Sequence, residues 1–276
     1  MAITHFIPTI WSENLYTELD KKYIAVANCN REFEGDIKNK GSVVKICGVG
    51  TINVSDYTKN TDMSEPQQLS DTVKELTIDQ AKYFNFQIDD IDRAQSSPKL
   101  MSSAMKIAAS ALANEADKYI FNLHEQAGNT VNAGEATGEN LIKFFIQAIT
   151  VLRKNNVTDD NDIVIEISPE VAGLLLNAKI NLTSDSDVFE SGCIGKIAGC
   201  KIFVSNNISF KDWGDNDEFR CYVRTKRAIA FAEQLSEIEA YRPEKRFSDA
   251  VKGLHLYGAK VVYPEELVTL KIFVVR

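Results

Sequence analysis

The sequence predicts an α+β fold built from two linked regions, and three observations carry that expectation. A helical periodicity runs unbroken from Pro98 to about Gln126. Alternating apolar and polar residues, the mark of strands, lie on either side of it, from Val43 to Ile88 and again through the tail. Between the helix and the tail, from about Glu139 to Phe231, helical and strand patterns alternate, which reads as an α/β region with a mixed sheet. At 276 residues the chain suffices for one large domain or two closely joined ones.

Taken in order, the opening holds a short amphipathic helix, because Trp11, Leu15 and Leu19 recur at four-residue spacing after Pro8. So short a helix near a terminus needs something to dock on, either its own domain or a neighbouring subunit. From Val43 the period changes to two, with Val44, Ile46, Ile52 and Val54 interrupted by Gly48 and Gly50. A polar tract, Ser55 to Thr72, separates this run from a second, Val73 to Ile88, so two strands leave and return around a polar tip. Polar loops longer than about 12–15 residues are uncommon inside compact domains unless they serve a function.

Ser97 and Pro98 form a helix start, and Leu100, Ala104, Ile107, Ala108, Ala111, Leu112, Glu115, Tyr119 and Leu123 follow at three- and four-residue spacing. At about 1.5 Å per residue this helix spans roughly 40 Å and reads as a spine. Gly128, Gly134 and Gly138 then read as a polar linker. A helix from about Glu139 to Lys154, the strand Ile163–Ile167, a short helix opened by Ser168 and Pro169, and strands near 199–205, 219–223 and 228–231 complete the second region. The tail, with Gly253 and Gly258, is expected to return as strands to the first region and complete its sheet.

Composition narrows the function. Hydrophobic residues make up 44% and charged residues 25%, values of a globular chain rather than a disordered or membrane one. Asp and Glu outnumber Lys and Arg by 39 to 31, for a formal net charge of −8. A protein that grips phosphates needs a cationic surface, and only short pairs such as Lys21-Lys22 and Lys226-Arg227 occur, which disfavours direct nucleic-acid binding. The start lacks the cationic opening and apolar run of a secretory signal, and no stretch approaches about 18 apolar residues, so a cytoplasmic, non-membrane protein is expected. The five cysteines (Cys29, Cys47, Cys193, Cys200, Cys221) are odd in number and never spaced as C-x-x-C, and are read as small buried hydrophobes.

Motifs for chemistry are weak. No Gly-rich phosphate loop precedes a helix. The three histidines, His5, His124 and His255, have no nucleophile elbow near them. Ser103 and Lys106 match S-x-x-K but lack its partner motifs, so they read as two solvated residues on the long helix. The acidic runs Asp89-Asp90-x-Asp92 and Asp212 to Glu218 lack the glycine and terminal glutamate of a calcium loop and read as turns and a solvated face. The N-x-[ST] matches at Asn53, Asn156, Asn181 and Asn207 have no meaning outside a secretory route. No catalytic residue, cofactor or metal is expected.

Several stretches, in order along nearly the whole chain, resemble the major capsid protein of tailed bacteriophages, the fold shared with encapsulins. They are FIPTIWSENL, the DYTKN tract, LTIDQAKYFNFQIDDID, the ADKY of the long helix, GKIAGCKIFVS and GLHLYGAKVVYPEEL. The resemblance implies an N-terminal arm (residues 1–35), an extended two-stranded loop with flanking strands (36–92), the spine helix of a peripheral domain (93–134), an α/β axial domain (135–228) and return strands of the peripheral domain (229–276). It implies a structural protein that self-assembles from pentamers and hexamers into an icosahedral shell around a phage genome, with an encapsulin-like compartment around a cargo enzyme as the alternative. Scaffolding and portal proteins, decoration proteins where present, and packaged double-stranded DNA bound without sequence preference are the partners implied. The location implied is the virion capsid, assembled in the host cytoplasm. Because the sequence opens almost directly at the arm, a separate scaffolding protein is expected. Some members crosslink a loop lysine to a neighbour's asparagine; Lys59 sits near the loop tip, but no partner asparagine or activating carboxylate is identified, so crosslinking is not expected. The contacts expected to hold copies together are Phe6 and Trp11 in the arm and Asp56, Tyr57 and Lys59 in the loop.

Overall fold

The computed structural model describes residues 15, 17–33, 41–49, 56, 59, 62, 71–89, 100–157, 162–177, 193–214, 216–244 and 248–275. Three helices and twelve strands are named among them: α1 (Leu100–Phe121), α2 (Gly138–Lys154), α3 (Pro169–Asn177), β1 (Val43–Val49), β2 (Asp71–Thr77), β3 (Gln80–Asp89), β4 (Asn129–Glu135), β5 (Ile163–Ile167), β6 (Cys193–Ile197), β7 (Cys200–Val204), β8 (Phe210–Asp212), β9 (Asn216–Thr225), β10 (Ile229–Tyr241), β11 (Ser248–Val261) and β12 (Leu267–Val275). They make an antiparallel two-stranded ribbon β1-β2, an antiparallel three-stranded sheet β10-β11-β3, and a mixed seven-stranded sheet β4-β12-β9-β5-β7-β6 with β8 added beside β9.

The seven-stranded sheet is covered on one face by α2 and α3. Phe219, Cys221 and Val223 of β9, Ile163, Ile165 and Ile167 of β5, and Val268, Leu270 and Ile272 of β12 share a core with Leu141, Phe145, Ile149 and Leu152 of α2 and with Leu175 of α3. The alternation follows from the strand period: odd residues of β9 point to α2, while Tyr222 and Arg224 point the other way. Thr137 caps α2 through a reciprocal box with Asn140, whose Oδ1 accepts the Thr137 N–H at 2.8 Å.

The second core joins α1, the three-stranded sheet and the stretch from Leu15 to Cys29. Met105, Ala109, Leu112, Ala116 and Ile120 of α1 pack with Leu15, Leu19, Tyr23 and Val26, with Phe231 of β10, and with Val251 and Tyr257 of β11. Helix α1 ends where Tyr222 of β9 donates its hydroxyl hydrogen bond to the carbonyls of Phe121 (2.8 Å) and Ile120 (3.2 Å), supplying partners that the last turn lacks.

Four expectations are corrected. The buried stripe of α1 runs through Met105, Ala109, Leu112, Ala113, Ala116 and Ile120, and Ile107 is 72% exposed. In an alanine-rich helix small residues lie on every side, so apolar spacing alone does not settle the rotation. The glycine-rich stretch after α1 is strand β4 rather than a linker. Gly134 has φ +63° and sits where the register with β12 slips between Lys271 and Ile272, so it makes a bulge in a strand instead of ending one. The tail divides: β11 returns to β3 as expected, but β12 crosses to the seven-stranded sheet, between β4 and β9. Residues 129–135 and 267–275 therefore belong with the region expected at 135–228. Lastly, the stretch given to an arm is core in its second half, since Leu15 and Leu19 are fully buried against α1.

Candidate assembly surfaces

A buried polar hub fixes the segment that follows Leu15. Arg224 of β9 and Glu166 of β5, both fully buried, form a two-pronged pair, Nε to Oε2 and Nη2 to Oε1, each at 2.9 Å. The remaining donors of Arg224 reach the carbonyls of Asn28 (2.7 Å) and Ala25 (3.0 Å), and Asn28 donates its amide to Glu166 at 3.2 Å. Burial opposes the charge on Arg224, but the Glu166 carboxylate overcomes it and holds the guanidinium above its usual range. A second buried acid, Glu233 of β10, accepts from the Tyr23 hydroxyl, pairs with Arg31 at 2.8 Å and meets His255 Nε2 at 2.7 Å. Burial, then the Glu233 charge, push the Tyr23 hydroxyl far above its ordinary range, so it stays a donor.

The third anchor is Asp117 of α1, which accepts the backbone N–H groups of Ile24, Ala25 and Val26, each at 3.1 Å. Burial raises its carboxyl to about 7 despite those three donors. With the folded value raised above the unfolded one, the native state takes up a proton between about pH 4 and 7, so the contribution of Asp117 to stability is full below that window and is lost as pH rises through about 7. Asp117→Asn is expected to flatten this part of the profile while keeping the two bonds to Oδ1. Melting curves of both proteins from pH 4 to 8 check this, and a melting-temperature difference independent of pH would count against it.

The β1-β2 ribbon is docked by its base. Val44, Ile46, Leu76 and Ile78 pack on Ala230 and Ala232 of β10 and Leu256 of β11, on the face of the three-stranded sheet away from α1. At Gly258 the ribbon crosses so closely that an added Cβ would lie 2.3 Å from the Thr77 carbonyl oxygen. Lys74 of β2 donates to the Val262 carbonyl and lies over the Tyr263 ring at 5.6 Å, and Arg227 lies over the same ring at 5.5 Å while bonding Glu266. Along the ribbon, Lys45 stands opposite Glu75, a favourable cross-strand pair.

Of the expected contact residues, Asp56 and Lys59 are exposed, between the ends of β1 and β2. Phe6, Trp11 and Tyr57 lie outside the described residues. The anchors Gly258, Lys74 and Tyr263 were not foreseen as such. A glycine inside a strand pattern signals close backbone approach, and Gly258 carried that signal, although it was read only as part of a returning strand. Ser103 and Lys106 are both exposed on α1. Two acids of the 212–218 run serve the β8-β9 turn: Asp212 accepts the Gly214 N–H at 2.7 Å and Glu218 accepts from the Trp213 indole at 3.1 Å. Just after α1, in the single 3₁₀ turn Asn122–Gln126, burial first and the adjacent Arg220 second hold His124 below its ordinary value, consistent with a neutral ring accepting from Arg220 at 2.6 Å.

No family model matches the chain. No curated protein matches it either. Among solved structures, a chain from Mycobacterium phage Che8 is 31% identical, with a TM-score of 0.69 over 90% of each chain. The capsid of Ralstonia phage GP4 superposes with a TM-score of 0.70 at 12% identity, over 92% of this chain and 90% of that one. The virus-like particle of Pyrococcus furiosus superposes with a TM-score of 0.57 at 10% identity, over 94% of this chain and 96% of that one. The last two show the fold, and the first, at its identity and coverage, shows the family. With an anchored two-stranded ribbon, a long helix under a three-stranded sheet and a mixed sheet bearing two helices, this chain belongs to the major capsid proteins of tailed bacteriophages.

Proposed function

We propose that copies of this chain close, as pentamers and hexamers, into an icosahedral shell around a packaged double-stranded DNA genome, assembled in the host cytoplasm with a scaffolding protein and a portal. The observation that carries the reading is the 31% identity to the Che8 phage chain across 90% of both. The docked ribbon supports it: a two-stranded element held to the sheet through its base offers contact area toward a neighbour, and a closed shell needs heterologous contacts repeated around each ring. Its exposed tip residues Asp56 and Lys59 are proposed contacts, with Tyr57 between them and Phe6 and Trp11 near the start of the chain. The region built on the seven-stranded sheet would meet its copies around the five-fold and six-fold axes, and the region around α1 would form the rim. A net charge of −8 suits a container, because a wall without a basic stripe does not trap its DNA.

An encapsulin-like compartment uses the same fold, but the Pyrococcus furiosus particle matches at only 10% identity and gives that reading no preference. Expression of the full chain alone and with its candidate scaffolding protein, followed by light scattering and negative-stain electron microscopy, tests the proposal. Closed shells, or free pentamers and hexamers, are the expected result. A protein that stays monomeric even with the scaffold would overturn it.

A further inference from the structure

Strand β3 is the outermost strand of the three-stranded sheet, and among the described residues no strand pairs with its other edge. It meets β11 in an unbroken register from Gln80 opposite Tyr257 to Asp89 opposite Ser248, without a bulge. An edge of this kind presents a row of unpaired N–H and C=O groups, and proteins blunt such rows with proline, bulges or clustered charge. Between Gln80 and Ile88 there is no proline, and Lys82 is the only charged residue. That lysine is drawn to Glu115 of α1 at 3.2 Å. The strand is also uncovered: none of Gln80 to Ile88 is buried, whereas Val251, His255 and Tyr257 of the adjoining β11 are. Its faces alternate. Phe84 and Phe86 stack with ring centroids 6.0 Å apart and pack on the α1 core while staying partly exposed, so that core is open along this rim, and Ile88 follows on the same face. Asn85 and Gln87 are exposed on the other face.

We propose that β3 pairs antiparallel with β3 of a second copy across a two-fold axis, with Phe86 opposite Phe86, joining two three-stranded sheets into one of six strands. The proposal rests on the shell reading above, because an icosahedral shell contains two-fold axes, and a two-fold contact must be self-complementary. The residues of β3 meet that condition. A two-fold axis perpendicular to the sheet keeps both α1 faces on one side only when even-numbered residues meet even-numbered ones. Among those registers, the one centred on Phe86 sets Phe84 opposite Ile88 and Asn85 opposite Gln87, so apolar residues meet apolar ones and amides meet amides. It also leaves Lys82 outside the paired stretch, with its Glu115 partner. Centring on Asn85 would set Lys82 against Ile88, and centring on Phe84 would set it against Phe86, each facing a cation with an apolar side chain. Pairing gives the edge N–H and C=O groups their partners and closes the open rim of the α1 core over four phenylalanines, two from each copy.

The test uses full-length Asn85→Cys and Gln87→Cys, assembled into particles separately and as an equal mixture, oxidised mildly, and resolved by non-reducing gels and mass spectrometry. Both positions are exposed, so neither change disturbs the fold. The native Cys29, Cys193, Cys200 and Cys221 are buried, and wild type oxidised alongside gives the background. Directly opposed residues of an antiparallel pair stand about 4.5–5.5 Å apart at Cα, within the disulfide range of about 4.4–6.8 Å, whereas diagonal neighbours at about 7–8 Å fall outside it. Covalent dimers linking position 85 to position 87 are therefore expected from the mixture, with only traces from either variant alone. Intact mixed particles without that link overturn the pairing and leave the shell reading standing. A link formed as readily by Asn85→Cys alone would place position 85 opposite itself and overturn the pairing as well. Wild type that forms no particle fails the shell reading first and takes this proposal with it.

Discussion

Arg224→Met is expected to destabilise the protein by about 3–5 kcal/mol, the penalty for removing one partner of a buried ion pair. The loss comes less from the missing attraction than from what remains: the fully buried Glu166 carboxylate, with the Asn28 amide at 3.2 Å as its other named donor, and the carbonyls of Ala25 and Asn28 without the guanidinium. The damage should be specific in place. Residues 24–29 would lose their hold on the seven-stranded sheet while keeping their bonds to Asp117 on α1, so hydrogen exchange at these amides should rise before exchange in α2. Adding Glu166→Leu removes the orphaned charge and should recover much of the loss, leaving roughly 1–3 kcal/mol for the carbonyls still without donors. Urea unfolding of wild type, both single variants and the double variant closes the cycle. Wild-type stability in Arg224→Met would show that the pair does not hold the segment.

Gly258→Ala is expected to cost toward the upper part of about 1–3 kcal/mol, the range for overpacking, and to abolish closed particles. The new Cβ would sit 2.3 Å from the Thr77 carbonyl oxygen and 3.0 Å from the Ile78 Cα. Both are backbone atoms, so relief requires the ribbon to lift from β11, withdrawing Leu76 and Ile78 from Ala230, Ala232 and Leu256. Gly253→Ala is the internal comparison. Its Cβ would meet the Phe84 ring at 2.5 Å, and a ring can turn away where a backbone cannot. Melting temperature and negative-stain microscopy of both variants separate the cases: folded protein without shells for Gly258→Ala, and shells for Gly253→Ala. Normal particles from Gly258→Ala would mean that the ribbon base tolerates displacement.

Periodicity made most elements legible from the residues alone. The apolar run Ile163–Ile167, the amphipathic run that became α2, and strands on either side of the polar tract all appeared, because each depends on local spacing of apolar residues; the returning run Val73 to Ile88 split into β2, paired with β1, and β3, paired with β11. The family resemblance was legible too, spread through the whole chain. The rotation of α1 was not, since its many alanines carry little directional signal and the helix is turned by what packs on it, with Asp117 holding residues 24–26. Nor was β4, whose Gly134 reads locally as a break and becomes a bulge only beside β12.

The sequence by itself determined where most helices and strands form, a formal net charge of −8 without a long basic run, and which family it resembles. Only the tertiary structure decided that β12 crosses to the seven-stranded sheet, that Leu15, Leu19, Tyr23, Ala25 and Val26 pack into the α1 core, and that Arg224, Glu166 and Asp117 converge on that segment from three elements. The physical reason is range. Spacing of apolar residues reports the shape of one segment, whereas an ion pair between residues 58 positions apart, or a glycine needed for a crossing strand, is selected by a partner that no local window contains.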